Sequence, residues 1–355
     1  MAWFRRDAGS RDNKSVQKST ESRVTESQEQ PAASGNLCQR QESKEQLSNQ
    51  LETEQASQTQ LTRETGTFSS RFQGLMAPVF SCFKDDDRRS LDVRPINRYA
   101  EWLQSQMISG VLINGVVGEG PMMRVRERKA NCEYWQRAAV RHNLMIMVQV
   151  GGAPLPDVLS LAAHAEEVRV SGVVTLPELF YRPRNVDQLV GYCQHVATRC
   201  RTRPFFYYHM PSMTGVDLDM VEFCAKAERS ISNFMGLYYA SADLEMGQRC
   251  LRFGRVVMLA STALLASGLM SGFNCSSLVV VNIRPDLVHK ICEAFDDNEL
   301  QLARDYQREL NQLIEIHTHD SHMENWVVSM KNWFNKESTS RQIGSFNAGP
   351  ARIVF

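Results

Sequence analysis

The sequence predicts an α/β protein, a (β/α)8 TIM barrel with three additional C-terminal helices, and three observations support this fold class. Short apolar runs recur about every 25–35 residues, the length of one strand plus one helix. Several runs are apolar without alternation, as is typical of parallel strands covered on both faces. Beyond the eighth run the pattern becomes wholly helical. Eight strand–helix units within about 215 residues favour this closed barrel over the other fold that fits, an open doubly wound sheet.

The predicted strands are eight apolar runs, each followed by a polar turn. They are Gly74–Phe83, Gly110–Asn114, Met145–Val150, Gly172–Leu176, Pro204–His209, Phe234–Tyr239, Val256–Leu259 and Leu278–Val281. The segments between them carry apolar side chains at helical spacing. One such helix face contains Tyr99, Trp102, Leu103 and Met107. Each strand is therefore expected to lead into a helix that packs on the outside of the barrel.

Composition divides the chain into a tail and a body. Residues 1–70 are rich in Ser, Gln, Glu, Arg and Thr, and such a segment buries too little apolar surface to offset the entropy of ordering it. We predict a disordered polar tail over 1–70, the barrel over 71–283 and a helical extension over 284–355. The helices predicted in the extension are Pro285–Asp296, Glu299–Thr318 and Met323–Asn335.

Bulk properties argue against several classes of function. The chain of 355 residues has a formal net charge of zero, which gives no argument for a nucleic-acid partner. No apolar run reaches the roughly 18 residues that a membrane span needs, and the N-terminus lacks a hydrophobic signal core. The nine cysteines are odd in number and none has C-x-x-C spacing, so a disulfide framework is not expected. We predict a cytoplasmic protein without nucleic-acid or membrane partners.

Candidate functional groups lie where the predicted strands end, since reacting groups in such barrels occupy the carboxyl ends of strands and the loops that follow. The loop Gly115–Gly120 reads G-V-V-G-E-G, which fits a plain tight turn, the favoured interpretation, or a backbone cradle for a small anion. Tyr208 and His209 end the fifth run, and both residue types serve in acid–base chemistry. Structural packing is the favoured role of His209.

A histidine cluster in the helical extension is a candidate metal site. His317, His319 and His322 fall at i, i+2 and i+5, with Asp320 between them. Ligands on one helix face need i, i+4 spacing, so a solvated helix junction is favoured. We predict no metal and no cofactor.

Three motifs resemble those of one enzyme family. They are G-V-V-G-E-G at Gly115–Gly120, F-Y-Y-H-M-P-S-M-T-G at Phe206–Gly215 and F-M-G-L-Y-Y-A-S at Phe234–Ser241. In this order and spacing they resemble the N-acetylneuraminate lyase family of the dihydrodipicolinate synthase-like class I aldolases, and the animal sialic-acid lyases in particular. The resemblance runs from about Phe72 to about Arg352. It implies a (β/α)8 barrel that cleaves N-acetylneuraminate to N-acetylmannosamine and pyruvate.

The resemblance also implies how such an enzyme works. In the family, a lysine in a G-L-K motif on the sixth strand forms a Schiff base with a 2-keto acid, and a tyrosine on the fifth strand relays the proton. Here the motif reads Gly236-Leu237-Tyr238, so the lysine position holds a tyrosine. A phenol has no amine and cannot form an imine. The proton-relay tyrosine is retained as Tyr208.

The positions that bind substrate in the family are also altered. Two hydroxyl residues that hold the substrate carboxylate correspond to Val116 and Val117, beside a retained Gly118. The other positions matched by the resemblance are Ala240, Ala260, Thr262, Ala263 and Val279. Hydroxyl and carboxylate side chains have therefore been replaced mostly by apolar ones.

These changes predict an N-acetylneuraminate lyase-like protein that is catalytically inactive and has a binding or scaffolding role. The alternatives are a residual lyase and an aldolase with altered chemistry that acts on another 2-keto acid. The resemblance implies a small 2-keto acid or a sialic-acid-like ligand, and a homo-oligomer. A filled barrel mouth around Tyr238 would favour an inert barrel, and a cavity that reaches Tyr208 would favour a small ligand.

Overall fold

The computed structural model describes residues 72–252, 254–318, 326–340 and 346–353. Within them, eight parallel strands pair in sequence order and close into a barrel, which confirms the predicted fold and excludes the open sheet. The strands are β1 (Gly74–Pro78), β2 (Gly110–Ile113), β3 (Met145–Gln149), β4 (Gly172–Thr175), β5 (Phe205–His209), β6 (Phe234–Tyr239), β7 (Val256–Leu259) and β8 (Cys275–Ser277). The predicted disordered tail over 1–70 lies outside the described residues.

Helices alternate with the strands and then continue beyond the barrel. They are α1 (Ile96–Ser105), α2 (Val125–Arg141), α3 (Leu155–Val168), α4 (Val186–Ala197), α5 (Pro211–Thr214), α6 (Met220–Ser230), α7 (Leu244–Cys250), α8 (Leu265–Met270), α9 (Pro285–Asp296), α10 (Leu300–Thr318) and α11 (Trp326–Ser340). The three predicted C-terminal helices are confirmed as α9, α10 and α11. The last of them extends to Ser340, beyond the predicted end at Asn335.

Strand β8 lies earlier in the chain than predicted. Cys275–Ser277 form the strand and pair with β1. The predicted run, Leu278–Val281, instead leads into a 3-10 turn at Val279–Asn282. The side-chain amide of Asn282 fixes this turn by donating to Pro78 O at 3.0 Å and to Val279 O at 2.8 Å. The turn is buried, and burial makes its sequence as apolar as that of a strand.

The predicted apolar face of α1 is confirmed in part. Tyr99 and Leu103 are fully buried, and Trp102 is partly buried. The prediction for Met107 is wrong, because α1 ends at Ser105 and Met107 is 67% exposed. Met107 has a φ of 58°, which turns the chain away from the helix axis before its side chain can join the face. Apolar spacing alone does not locate a helix end.

Apolar side chains from the strands fill the inside of the barrel. Phe72 and Phe206 meet edge to face, with ring centroids 5.1 Å apart. The buried cluster around them comprises Phe72, Met76, Leu112, Met147, Val174, Leu176, Phe206, Tyr208, Met235, Tyr238, Val256, Met258 and Cys275. Close packing of these side chains makes the barrel interior a core rather than a channel.

Strand β6 contains a bulge that sets the direction of its side chains. Phe205 pairs with Phe234 whereas Phe206 pairs with Gly236, so Met235 is an extra residue on β6. Gly236 has a φ of 153°, and a Cβ there would lie 1.8 Å from Val256 O on β7. Glycine therefore allows the close approach of the two strands. Beyond the bulge, the register places Tyr238 opposite Tyr208 on β5.

A buried ion pair connects the C-terminal helices to the barrel. Lys331 Nζ on α11 donates to Glu119 Oε1 at 2.8 Å, and both side chains are fully buried. The ammonium also donates to the carbonyl oxygens of Ser81 and Pro350. The other carboxylate oxygen, Glu119 Oε2, accepts from Arg352 N at 2.6 Å and from Ile353 N at 3.1 Å. Both charges are thus satisfied inside the protein, and the loop after β2 is held against residues 346–353.

Candidate ligand site at the barrel mouth

Two tyrosines from neighbouring strands lie at the carboxyl end of the barrel. Strand alternation directs Tyr208 and Tyr238 inward, because side chains two residues apart share a face. Their rings meet edge to face, with centroids 4.5 Å apart. Tyr238 is 1% exposed, and its hydroxyl donates to Ser277 Oγ on β8 at 2.7 Å. The residue at the predicted Schiff-base position is therefore locked into the barrel by packing and by one hydrogen bond.

Burial determines the protonation of both phenols. Burial raises the pKa of Tyr238 well above its usual value, the nearby Tyr208 raises it further, and the hydrogen bond to Ser277 lowers it by less. Burial also raises the pKa of Tyr208. Desolvation disfavours the phenolate, so both groups keep their protons at neutral pH. The pair supplies hydrogen-bond donors and offers no ready base.

A cavity of about 370 Å³ opens above the two tyrosines. Its walls come from the strand ends and from the loops that follow them, and its roof comes from the helical extension through Ile314, Trp326 and Val327. The other lining residues are Pro78, Leu112, Val116, Val117, Tyr208, Met210, Ser212, Met213, Tyr238, Ala240, Ser241, Ala242, Ala260, Ser261, Thr262, Ala263, Ser277 and Val279. The barrel mouth is thus open, and its volume lies in the range typical of small-molecule sites.

Most of the predicted site positions meet at this cavity. Tyr208 and Tyr238 line it together with Val116, Val117, Ala240, Ala260, Thr262, Ala263 and Val279. Gly118 does not line it. Its carbonyl accepts from Ser81 Oγ at 2.6 Å, so Gly118 shapes the loop instead. The structure therefore gathers residues that are distant in sequence into one site.

Ser277 and the roof residues are among the lining residues that the sequence does not predict as site positions. Ser277 contacts Tyr238 directly, whereas the resemblance placed the corresponding serine position at Val279. The small residues Cys275-Ser276-Ser277 were the available signal, but they were not recognised as a strand. The roof residues give no local signal, since α10 and α11 reach the mouth only through tertiary packing.

The loop Gly115–Gly120 adopts a tight turn rather than an open anion cradle. Glu119 N donates to Val116 O and Gly120 N donates to Gly115 O, each at 3.0 Å. A Cβ on Gly120 would lie 1.9 Å from Asn114 O, so glycine is required there for close approach. The amides of Glu119 and Gly120 are thus occupied within the loop, as the favoured interpretation predicts.

His209 and Tyr207 lie on the opposite face of β5, outside the lumen. Tyr207 packs on Phe223 of α6, with ring centroids 4.9 Å apart, and His209 stacks on Tyr239 at 5.3 Å. Burial lowers the pKa of His209 to about 4, although Asp217 and Asp243 raise it slightly. His209 is thus a neutral packing residue, and it does not reach the cavity.

Of the predicted histidine cluster in the extension, only His317 lies within the described residues. His317 stacks on Trp333 with ring centroids 4.1 Å apart, and its Nδ1 lies 2.8 Å from Leu313 O. His319, Asp320 and His322 lie outside the described residues. Among the residues that the structure describes, no group of three His, Cys, Asp or Glu side chains is placed to hold a metal ion.

In the same part of the chain, no helix is long and apolar enough to cross a membrane.

Fold and cavity define a class of protein: a (β/α)8 barrel with a ligand-sized site at the carboxyl ends of its strands, roofed by additional helices. The particular family follows from comparison with known proteins. The dihydrodipicolinate synthetase family model matches residues 71–335. The chain belongs to this family.

Comparison with individual relatives shows which members of this family the chain is similar to. The chain is 31% identical to N-acetylneuraminate lyase of Gallus gallus over 242 residues, which are 67% of this chain and 78% of that protein. It is 30% identical to N-acetylneuraminate lyase B of Xenopus laevis over 253 residues, covering 69% and 92% of the two chains. Among solved structures, N-acetylneuraminate lyase of Proteus mirabilis superposes with a TM-score of 0.72 at 26% identity, covering 80% of this chain and 92% of that one. The resemblance drawn from the three motifs is thereby confirmed.

Proposed function

We propose that this chain is a catalytically inactive member of the N-acetylneuraminate lyase group that has kept the barrel mouth as a binding site. The observation that carries the proposal is Tyr238, which points into the cavity where the family's imine would form. Its phenol cannot condense with a ketone. No lysine is among the described residues that line the cavity, so no substitute amine is supplied there. The first step of the aldolase reaction therefore has no nucleophile.

Loss of substrate contacts supports the same proposal. A hydrogen bond to a charged group contributes about 1.5–3 kcal/mol. Millimolar binding corresponds to only about 4 kcal/mol in total. Replacing the hydroxyl pair by Val116 and Val117, and the polar positions after β6 and β7 by Ala240 and Ala263, removes several such contacts. We expect N-acetylneuraminate to bind weakly or not at all.

Borohydride trapping tests the proposal directly. Purified protein is incubated with pyruvate and sodium borohydride, and its intact mass is measured. We expect no gain in mass and no release of pyruvate from N-acetylneuraminate. A lysine-bearing N-acetylneuraminate lyase treated in parallel is the positive control. A mass gain equal to one reduced pyruvyl group on this chain would overturn the proposal.

An aldolase or lyase with residual or altered chemistry is the second candidate. It is favoured by Tyr208, the retained proton-relay position, whose side chain lines an open cavity. In this alternative the chain acts on N-acetylneuraminate or another 2-keto acid without an imine. Product analysis over a panel of 2-keto acids separates the two candidates, since only the second predicts turnover.

We further propose that the chain is a cytoplasmic homo-oligomer, as the family resemblance implies. Phe180 and Tyr181, between β4 and α4, are 83% and 82% exposed, and their rings meet at 5.0 Å. Exposed aromatic pairs of this kind are typical of contact surfaces. Light scattering after size exclusion measures the assembly, and a monomer at micromolar concentration would contradict this part of the proposal.

A further inference from the structure

We propose that the barrel mouth binds a neutral, largely apolar small molecule that carries a hydrogen-bond acceptor for Tyr208, rather than an acidic sugar or a 2-keto acid. This inference rests on the proposed function, since it names the ligand class of the same site. It follows from three properties of the cavity: a mostly apolar lining, the absence of charge among its described lining residues, and a free phenol donor at its floor.

Most of the lining is apolar, and its polar part consists of the hydroxyl groups of Ser212, Ser241, Ser261, Thr262, Ser277 and the two tyrosines. Leu112, Val116 and Val279 contribute aliphatic groups from the strand ends and loops, and Ile314 and Trp326 contribute apolar groups from the roof. Ala240 and Ala260 stand where larger side chains would fill the space, and both pack against the inner core. A polyol placed here would lose its water without gaining enough partners. An apolar molecule gains by the same desolvation.

Charge complementarity excludes a carboxylate. None of the described lining residues is charged. The two cations that contact the loop after β2 are already paired, because Lys331 pairs with Glu119 and Arg352 pairs with Glu127 at 2.6 Å. An ionised carboxylate buried without a cation or several donors is strongly disfavoured. A ligand that enters this cavity is therefore uncharged.

Tyr208 offers a free donor at the floor of the cavity. Tyr238 already donates to Ser277. Tyr208 lines the cavity, is 6% exposed, and has no hydrogen-bond partner among the described residues. Its hydroxyl retains its proton and has nothing in the floor to donate to. A carbonyl or ether oxygen of the ligand is the acceptor that completes it, and this contact fixes the ligand's orientation.

The first test measures whether the cavity is the binding site. The neutral fluorophore N-phenyl-1-naphthylamine is titrated into the full-length protein and its emission is followed. We expect saturable binding that becomes at least tenfold weaker in Ala260→Trp, whose indole fills the cavity. The matched control is Val140→Trp on α2, because Val140 is 73% exposed and remote from the lining residues. Its affinity is expected to match that of the unmodified protein.

The second test measures the polar contact. Benzophenone and diphenylmethane, which differ by one carbonyl oxygen, compete with the fluorophore. Because a neutral hydrogen bond contributes modestly, Tyr208→Phe is expected to weaken benzophenone by about 2- to 10-fold and to leave diphenylmethane unchanged. Equal effects on both competitors would overturn the assignment of the donor. Displacement of the fluorophore by millimolar pyruvate or N-acetylneuraminate would overturn the assignment of a neutral ligand.

Circular dichroism confirms that each variant is folded, and Ala240→Leu replaces Ala260→Trp if the latter does not fold. Absence of saturable binding to the folded protein would overturn the inference, as would unchanged binding in the folded filling variant. These failures differ from failure of the proposed function. A trapped pyruvyl adduct overturns the loss of catalysis, whereas a missing fluorophore signal without an adduct overturns only the ligand class.

Discussion

At the scale of the residue, Tyr238 is a side chain that fits the fold and has no amine with which to form an imine. A tyrosine at this position fills the lumen, stacks edge to face on Tyr208 and satisfies its hydroxyl with Ser277. A buried lysine would need a partner for its charge or would lose its proton. The neutral phenol is therefore well suited to this buried position, and it cannot form an imine with a ketone.

Introducing an amine at position 238 is not expected to be sufficient for lyase activity. We expect Tyr238→Lys to release no measurable pyruvate from N-acetylneuraminate, because Val117 and Ala263 still fail to hold the substrate. A coupled lactate dehydrogenase assay measures the pyruvate. Tyr238→Phe serves as the matched control for loss of the bond to Ser277. Turnover in the single lysine variant would show that the pocket still recognises the sugar acid.

At the scale of the element, strand β6 depends on its bulge. Met235 is the extra residue, and Gly236 lets β6 approach β7. Without the bulge, every side chain beyond it would face the opposite way, since a shift of one residue reverses a strand's faces. The bulge therefore decides that Tyr238 faces the lumen while Leu237 and Tyr239 face the helices.

Adding one methyl group to β6 is expected to be costly. In Gly236→Ala the new Cβ would lie 1.8 Å from Val256 O, so the two strands must separate. We expect a loss of at least about 1–3 kcal/mol in the free energy of unfolding, the range typical of overpacking. Gly191→Ala on α4 is the matched control, because nothing lies within 4 Å of its added Cβ. Helix propensity predicts a gain of about 0.5–1 kcal/mol for this control. Urea denaturation measures both variants, and equal effects would contradict the account of β6.

The strands and helices also show which structural features a local sequence pattern can predict and which it cannot. Strand alternation places Tyr207 and Tyr208 on opposite faces of β5, and this pattern can be read from the sequence because its period of two is local. The search for apolar runs misplaces β8, since Cys275, Ser276 and Ser277 are small and carry little apolar signal. The roof of the cavity and the pair of Glu119 with Lys331, 212 residues apart, leave no local pattern. They arise only when distant segments pack together.

At the scale of the whole molecule, Glu119 and Lys331 join the barrel to its helical extension. Both side chains are fully buried, and burial lowers the pKa of Lys331 while Glu119 opposes that shift. The ring of Phe83 lies against both cations, 4.4 Å from Lys331 Nζ and 4.3 Å from Arg352 Cζ. The loop Gly115–Gly120 and the helical extension are therefore joined by buried contacts, and we expect them to unfold together.

Breaking this pair is expected to destabilise the entire body. Glu119→Gln leaves a buried ammonium without its counter-charge, which costs about 3–5 kcal/mol. The double variant Glu119→Gln/Lys331→Met is expected to recover much of that loss. Arg308→Ala, which breaks an exposed pair with Asp305, is the control and is expected to change stability by less than about 1 kcal/mol. Thermal and urea unfolding measure the stability of the three variants. A Glu119→Gln variant as stable as the unmodified protein would contradict the role of the pair.

The long sequence separation within this pair has a consequence for synthesis. A ribosome releases Glu119 212 residues before Lys331, and the amides of Arg352 and Ile353 emerge later still. Throughout that interval the nascent carboxylate has none of these partners. The loop Gly115–Gly120 is therefore expected to reach its final packing only after Lys331 and Arg352 have been synthesised, and until then the carboxylate of Glu119 depends on water for its hydrogen bonds.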